Sequence, residues 1–97
     1  MIFLNLKIFY DKELTDQEKV MLAALICVKK DLTTHFPVAK NYNFIAKKDS
    51  MIFFTINPTV MRSELGWSKS KFYKTLQSLV RKKKIAKDIE LQMYSIL

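Results

Sequence analysis

The sequence predicts a small α+β domain, three helices with a small antiparallel β-sheet, on three observations. Two helical segments are separated by a short turn that holds the chain's one glycine, Gly66. A β-branched and aromatic run precedes them, and two short extended segments follow. Of the 97 residues, 49% are apolar, enough for one modest core, so residues 1–97 are expected to form a single domain with an extended arm over 1–10.

Taken in order, Ile2 to Tyr10 alternates loosely, with Ile2, Leu4, Leu6 and Ile8 on one face, and reads as a strand or packed arm. Thr15 and Glu18, three positions apart, have the spacing of a capping box and open the first helix. Its apolar stripe is Met21, Leu25, Val28 and Leu32, with Cys27 beside it, and the helix is expected to end near Lys30 or Asp31. Periodicity fails between Thr33 and Ser50, where Pro37, Asn41, Asn43 and the Lys47-Lys48-Asp49-Ser50 cluster interrupt it, so that stretch reads as an ordered loop. Met51 to Ile56 is the best strand in the chain.

Asn57 followed by Pro58 marks the start of a second helix that runs to Leu65, since proline at the first helical position lacks only an N–H that would be unpaired anyway. Gly66 ends it in the position where a left-handed backbone is usual. Ser68 then caps a third helix over 68–83, with Phe72, Leu76, Leu79 and Val80 on its apolar face. Beyond it, Ile85-Ala86-Lys87 and Glu90 to Ile96 form a hairpin whose reversal falls at Lys87-Asp88 or Asp88-Ile89. No internal repeat or low-complexity tract is present.

Charge narrows the function. Seventeen Lys and Arg against nine Asp and Glu give a net charge of +8, which favours a polyanionic partner or an anionic surface. The excess is local: Lys69, Lys71, Lys74, Arg81, Lys82, Lys83, Lys84 and Lys87 lie between Leu65 and Lys87 with no acidic residue among them. Cys27 is the one cysteine, so neither an intrachain disulfide nor a cysteine pair for zinc can form, and a reducing, cytoplasmic setting is expected. No apolar run reaches the ~18 residues of a membrane span, and Met1-Ile2-Phe3 has no basic leader region.

No nucleophile with a matching base, glycine-rich phosphate loop or carboxylate pair stands in a recognisable motif, so the chain is not expected to be an enzyme or to need a metal or cofactor. His35, the one histidine, stands beside no acidic or cysteine cluster and reads as a loop residue. Asp11, Glu13, Asp16 and Glu18 are accounted for by the helix N-terminus they surround, and Cys27 by burial. Trp67 occupies the apolar turn position and is expected to pack in the core.

A short helix, a glycine-containing turn and a second helix with a polar first two turns is the helix-turn-helix arrangement. The segment from Met61 to Leu76, with Leu65-Gly66-Trp67-Ser68 at the turn, resembles winged helix-turn-helix proteins of bacteria and phages. In them a strand precedes the motif and a hairpin follows it. More narrowly, Phe9 to Thr15 with Met51 to Ile85 resembles the N-terminal DNA-binding domain of plasmid and phage replication initiators. A departure is Lys84, which precedes Ile85 where winged helices often carry glycine. Because Gly66 is the chain's one glycine, the wing turn too is left to Lys, Asp or Ile.

The resemblance implies sequence-specific binding of double-stranded DNA, in replication initiation or transcription regulation, through the third helix and a basic wing. The expected contacts are Ser68, Lys69, Ser70, Lys71, Tyr73, Lys74, Gln77, Arg81, Lys84 and Lys87. A homodimer through the arm or the first helix is open, and neither a membrane nor a small-molecule substrate is expected. The alternative is a protein-interaction winged helix, an accessory factor whose exposed aromatic patch would come from Phe36 to Phe44 and Met51 to Phe54.

Overall fold

The computed structural model describes residues 7–35 and 44–97. Among these, four helices and four strands follow one another: α1 (Lys7–Tyr10), α2 (Asp16–His35), β1 (Ile45–Lys48), β2 (Met51–Phe54), α3 (Pro58–Leu65), α4 (Lys69–Arg81), β3 (Ile85–Asp88) and β4 (Met93–Ile96). The strands make one antiparallel sheet in the order β1-β2-β4-β3. Met21 and Leu25 of α2 and Phe72, Leu76 and Leu79 of α4 share a core with Ile45, Phe54, Ile85 and Tyr94 of the sheet.

The caps expected from sequence are formed. Thr15 Oγ1 accepts from the Glu18 N–H at 3.2 Å, and Glu18 Oε1 accepts from the Thr15 N–H at 2.8 Å. Asn57 Oδ1 accepts from the Val60 N–H, and Ser68 Oγ from the Lys71 N–H, each at 3.2 Å. Gly66 has φ 69°, and the two N–H groups that follow α3, those of Gly66 and Trp67, turn back to the carbonyls of Ser63 and Arg62. Only Gly66–Ser68 therefore separates α3 from α4.

The end of α4 repeats this closure without glycine. Lys83 takes φ 60°, its N–H donates to Val80 O, and the Lys84 N–H donates to Leu79 O. The helix stops at Arg81 rather than running to Lys83. Lys84 therefore precedes β3 where the resembled family often has glycine because the left-handed residue is one position earlier.

Four expectations are corrected. The arm is helical over Lys7–Tyr10, anchored by buried Ile8 and closed by Asp11, whose carboxylate accepts from the Glu13 N–H at 2.9 Å; residues 1–6 lie outside the described residues. The first helix continues to His35, past Thr33 and Thr34, whose hydroxyls bond back to the Lys29 and Lys30 carbonyls. His35 is accordingly a helical residue, 3.4 Å from Asp31. The segment read as an ordered loop contains β1, paired with β2 from Ile45↔Phe54 to Lys48↔Met51, while 36–43 lie outside the described residues. Asp49 and Ser50 turn this hairpin with φ 53° and 65°, the pair of positive values a two-residue loop demands but which usually calls for glycine.

Cys27 is the fourth: it is exposed, because the buried stripe of α2 runs through Met21, Leu22 and Leu25, and Val28 and Leu32 are only half-buried. The strand Met51–Phe54 divides its residues between both sheet faces, Phe54 toward the helices and Phe53 toward Ala46 and Met93. Its neighbour β4 pairs with β3 from Ile85↔Ile96 to Asp88↔Met93. The loop between them is closed by Asp88, whose carboxylate accepts from the Leu91 N–H, and by Gln92 at φ 54°.

Two substitutions at helix ends have opposite expected signs. A Cβ on Gly66 meets nothing within 4 Å, so Gly66→Ala costs only the left-handed backbone, about 1–2 kcal/mol. Lys83→Gly relieves the same strain at φ 60° and is expected to stabilise by a few tenths to about 1 kcal/mol. Thermal melting reads both, at about 4–8 °C per kcal/mol in a domain of this size.

Candidate nucleic-acid interface

The buried face of α4 is set by Phe72, Thr75, Leu76 and Leu79. At 3.6 residues per turn the opposite side then carries two adjacent rows, Lys69-Tyr73-Gln77 and Ser70-Lys74-Arg81. All six of these residues are exposed. Ser68, at the N-cap, is exposed beside them.

Lys71 lies at the edge of this surface, half-buried, with its ammonium 4.8 Å from the centre of the Trp67 ring. Trp67 itself is partly buried against the core, so the turn carries an aromatic platform with a cation over it. Arg62, on the last turn of α3, lines a hollow with Thr59, Ser63 and Trp67 at the same corner. Its Nε is buried without a hydrogen-bond partner among the described residues. Sequence reasoning passed over Arg62, although a basic residue four positions before Gly66 is a visible signal.

On the β3–β4 hairpin, Lys87 of β3 is exposed and its ammonium sits 5.8 Å from the centre of the Tyr94 ring. Tyr73 stands edge-on to Phe72, ring centres 5.2 Å apart and planes at 87°. Burial, with Tyr73 nearby as a smaller contribution, pushes the Tyr94 phenol above its ordinary value. The hydroxyl is protonated at neutral pH, as in any tyrosine, and can donate a hydrogen bond.

The basic run after α4 does not act as one patch. Lys84 turns back to α1 and the start of α2, 2.8 Å from Asp11 Oδ2 and 3.3 Å from Glu13 Oε2. Lys82 reaches Glu18 Oε1 at 2.7 Å and also donates to the Glu13 carbonyl. Arg81, Lys83 and Lys87 remain exposed. Of the ten residues expected to touch DNA, nine lie on or beside the exposed side of α4 and the β3–β4 hairpin, and Lys84 is engaged elsewhere.

The acids facing this junction do more than favour a helix N-terminus. Glu18 is 3% exposed and accepts from the Ser78 hydroxyl, the Lys82 ammonium and the Thr15 N–H. Burial alone would raise its pKa, but the bonds from Lys82, Ser78 and Thr15 outweigh that and hold the carboxyl at about 2. Asp11 is likewise lowered, chiefly by its hydrogen bond from Lys84, and Lys84 is raised by Asp11 and Glu13.

No helix among the described residues is long and apolar enough to cross a membrane, and no group of three or more His, Cys, Asp or Glu among them could hold a metal ion. No family model matches the chain, and no curated protein or solved structure is significantly similar to it.

Glu18→Gln is expected to destabilise the domain by roughly 2–3 kcal/mol at pH 7, because Lys82 and Ser78 then face a neutral amide. Glu18 has a folded pKa below its unfolded value near 4.5, so its contribution is complete above that value and is lost as pH falls from 4.5 toward about 2. Urea unfolding of both proteins across pH 7 to 2.5 is therefore expected to show their stability difference shrinking by about 1.4 kcal/mol per unit below pH 4.5.

Proposed function

We propose that this chain is a winged helix-turn-helix domain that binds double-stranded DNA sequence-specifically, as a replication initiator or transcription regulator does, with α4 in the major groove and β3–β4 as the wing. The observation that carries this reading is the state of the cations. Among the described residues, Lys69, Lys71, Lys74, Arg81 and Lys87 form no ion pair, whereas Lys48, Lys82 and Lys84 are neutralised by carboxylates. Other cations, Lys12, Lys19, Lys29, Lys30 and Lys47 among them, form no ion pair either, but only the stretch 65–87 combines such cations with a complete lack of acidic residues, and there a polyanion gains most by counterion release.

Strand, helix, turn, helix and hairpin follow in the order a winged helix requires, and β2 pairs with β4 of the wing at Phe54↔Tyr94. Lys69, Lys74 and Arg81 suit phosphates flanking the groove, and Lys87 the phosphates beneath the wing. Ser70, Tyr73 and Gln77, between them on α4, carry the hydroxyl and amide groups that read base edges. Ser68 presents a capped helix N-terminus. The accessory-factor reading loses its stated motive over Met51–Phe54, because Phe53 and Phe54 are buried.

Fluorescence anisotropy with duplex DNA over a range of salt concentrations tests the proposal. Neutralising ~5 to 7 phosphates predicts a log-log slope of roughly −4 to −6, and Lys69→Ala or Lys74→Ala should each reduce that slope by about one unit while leaving the melting temperature unchanged. The absence of any salt-dependent binding at low ionic strength refutes it.

A further inference from the structure

We infer that the slot between α4 and the β3–β4 hairpin holds a single unstacked nucleobase, so that the domain prefers duplex DNA carrying an unpaired base over a fully paired duplex. This rests on the DNA-binding reading above and specifies the form of DNA. The slot is a cavity of about 180 Å³ lined by Tyr73, Leu76, Gln77, Val80, Lys87 and Tyr94. It is smaller than the ~300–1,000 Å³ of sites for drug-sized ligands, which limits it to about one flat ring system.

Its chemistry matches a base joined to a phosphate. Leu76 and Val80 give it an apolar floor, and Tyr73 and Tyr94 supply aromatic rings, the element on which bases stack irrespective of sequence. Gln77 offers an amide that can both donate and accept, and the Tyr94 phenol can donate. The Lys87 ammonium, above the Tyr94 ring, places a positive charge for the phosphate that accompanies the base. No carboxylate lines the slot or the adjoining hollow of about 390 Å³ that shares Tyr73, Lys87 and Tyr94 with it. A cationic ligand therefore finds no counter-charge there.

Position adds to chemistry. Tyr73 and Gln77 belong both to the slot and to the exposed rows of α4, so the slot opens on the surface that would face the duplex. A paired base is out of reach inside the helix, but one already unpaired can swing out with little unstacking cost.

Three labelled duplexes of one sequence separate the alternatives by anisotropy: fully paired, with one unpaired adenine, and with an abasic nucleotide in the adenine's place. The abasic duplex has the same flexibility without the ring. The adenine duplex is expected to bind about tenfold more tightly than either the abasic or the fully paired one, and Tyr73→Leu to bring the adenine-to-abasic ratio to about one, whatever it does to each affinity. A paired duplex that binds as tightly as the adenine one overturns the preference. Equal affinity of the wild-type protein for the adenine and abasic duplexes, or a ratio that survives Tyr73→Leu, overturns the inference. If the paired duplex still binds in those cases, the DNA-binding proposal stands and the slot alone fails; loss of binding to all three overturns both.

Discussion

The Glu18 carboxylate is the group on which the placement of α4 depends. It lies where the first turn of α2 meets the last turns of α4, and its acceptor sites take the Thr15 N–H, the Ser78 hydroxyl and the Lys82 ammonium. An ionised group that deep is costly unless its hydrogen bonds are satisfied. Glu18 is therefore compatible with only one relation between the two helices, the one in which Ser78 and Lys82 reach it. Apolar contacts among Met21, Leu25, Phe72, Leu76 and Leu79 supply the attraction but tolerate sliding, whereas a buried charge with directional partners fixes rotation and register.

The same junction explains how a strongly basic chain packs its basic end. Arg81 to Lys84 are four consecutive cations, and placed together they would repel one another and any helix beside them. Alternate members are drawn inward, Lys82 to Glu18 and Lys84 to Asp11 and Glu13, leaving Arg81 and Lys83 outside. The acids near the start of α2 thus both favour the helix N-terminus and neutralise the far end of α4. Lys48 with Asp88 and Glu90 does the same between the β1–β2 hairpin and the β3–β4 hairpin.

What could be read from the sequence and what could not divide along sequence distance. The caps at Thr15, Asn57 and Ser68 and the left-handed end at Gly66 are bonds between residues a few positions apart, so the residue types and spacings that make them are visible in the chain. The exposed rows of α4 follow from its period in the same way. Glu18, by contrast, looked like a capping residue because its other partners are 60 and 64 positions away. Lys84 looked like part of a basic patch for the same reason. The β1–β2 hairpin escaped because Asp49 and Ser50 take positive φ without the glycine or asparagine that advertises such a turn, and the end of α4 because Lys83 does so too.

The physical consequence for binding is preorganisation. Helix α4 is fixed at its start by the Ser68 cap and the partly buried Trp67, along its length by Phe72, Leu76 and Leu79, and at its end by the bonds that converge on Glu18. An anionic ligand meeting its exposed side would have to order side chains but not backbone, which keeps the entropic cost of association at roughly 0.5–1.5 kcal/mol for each immobilised lysine or arginine. The lysines left without carboxylate partners have no ion pair to break first. Those with partners, Lys82 and Lys84, hold the helix in place, so removing Glu18 would disturb an exposed basic surface of α4 that it does not touch.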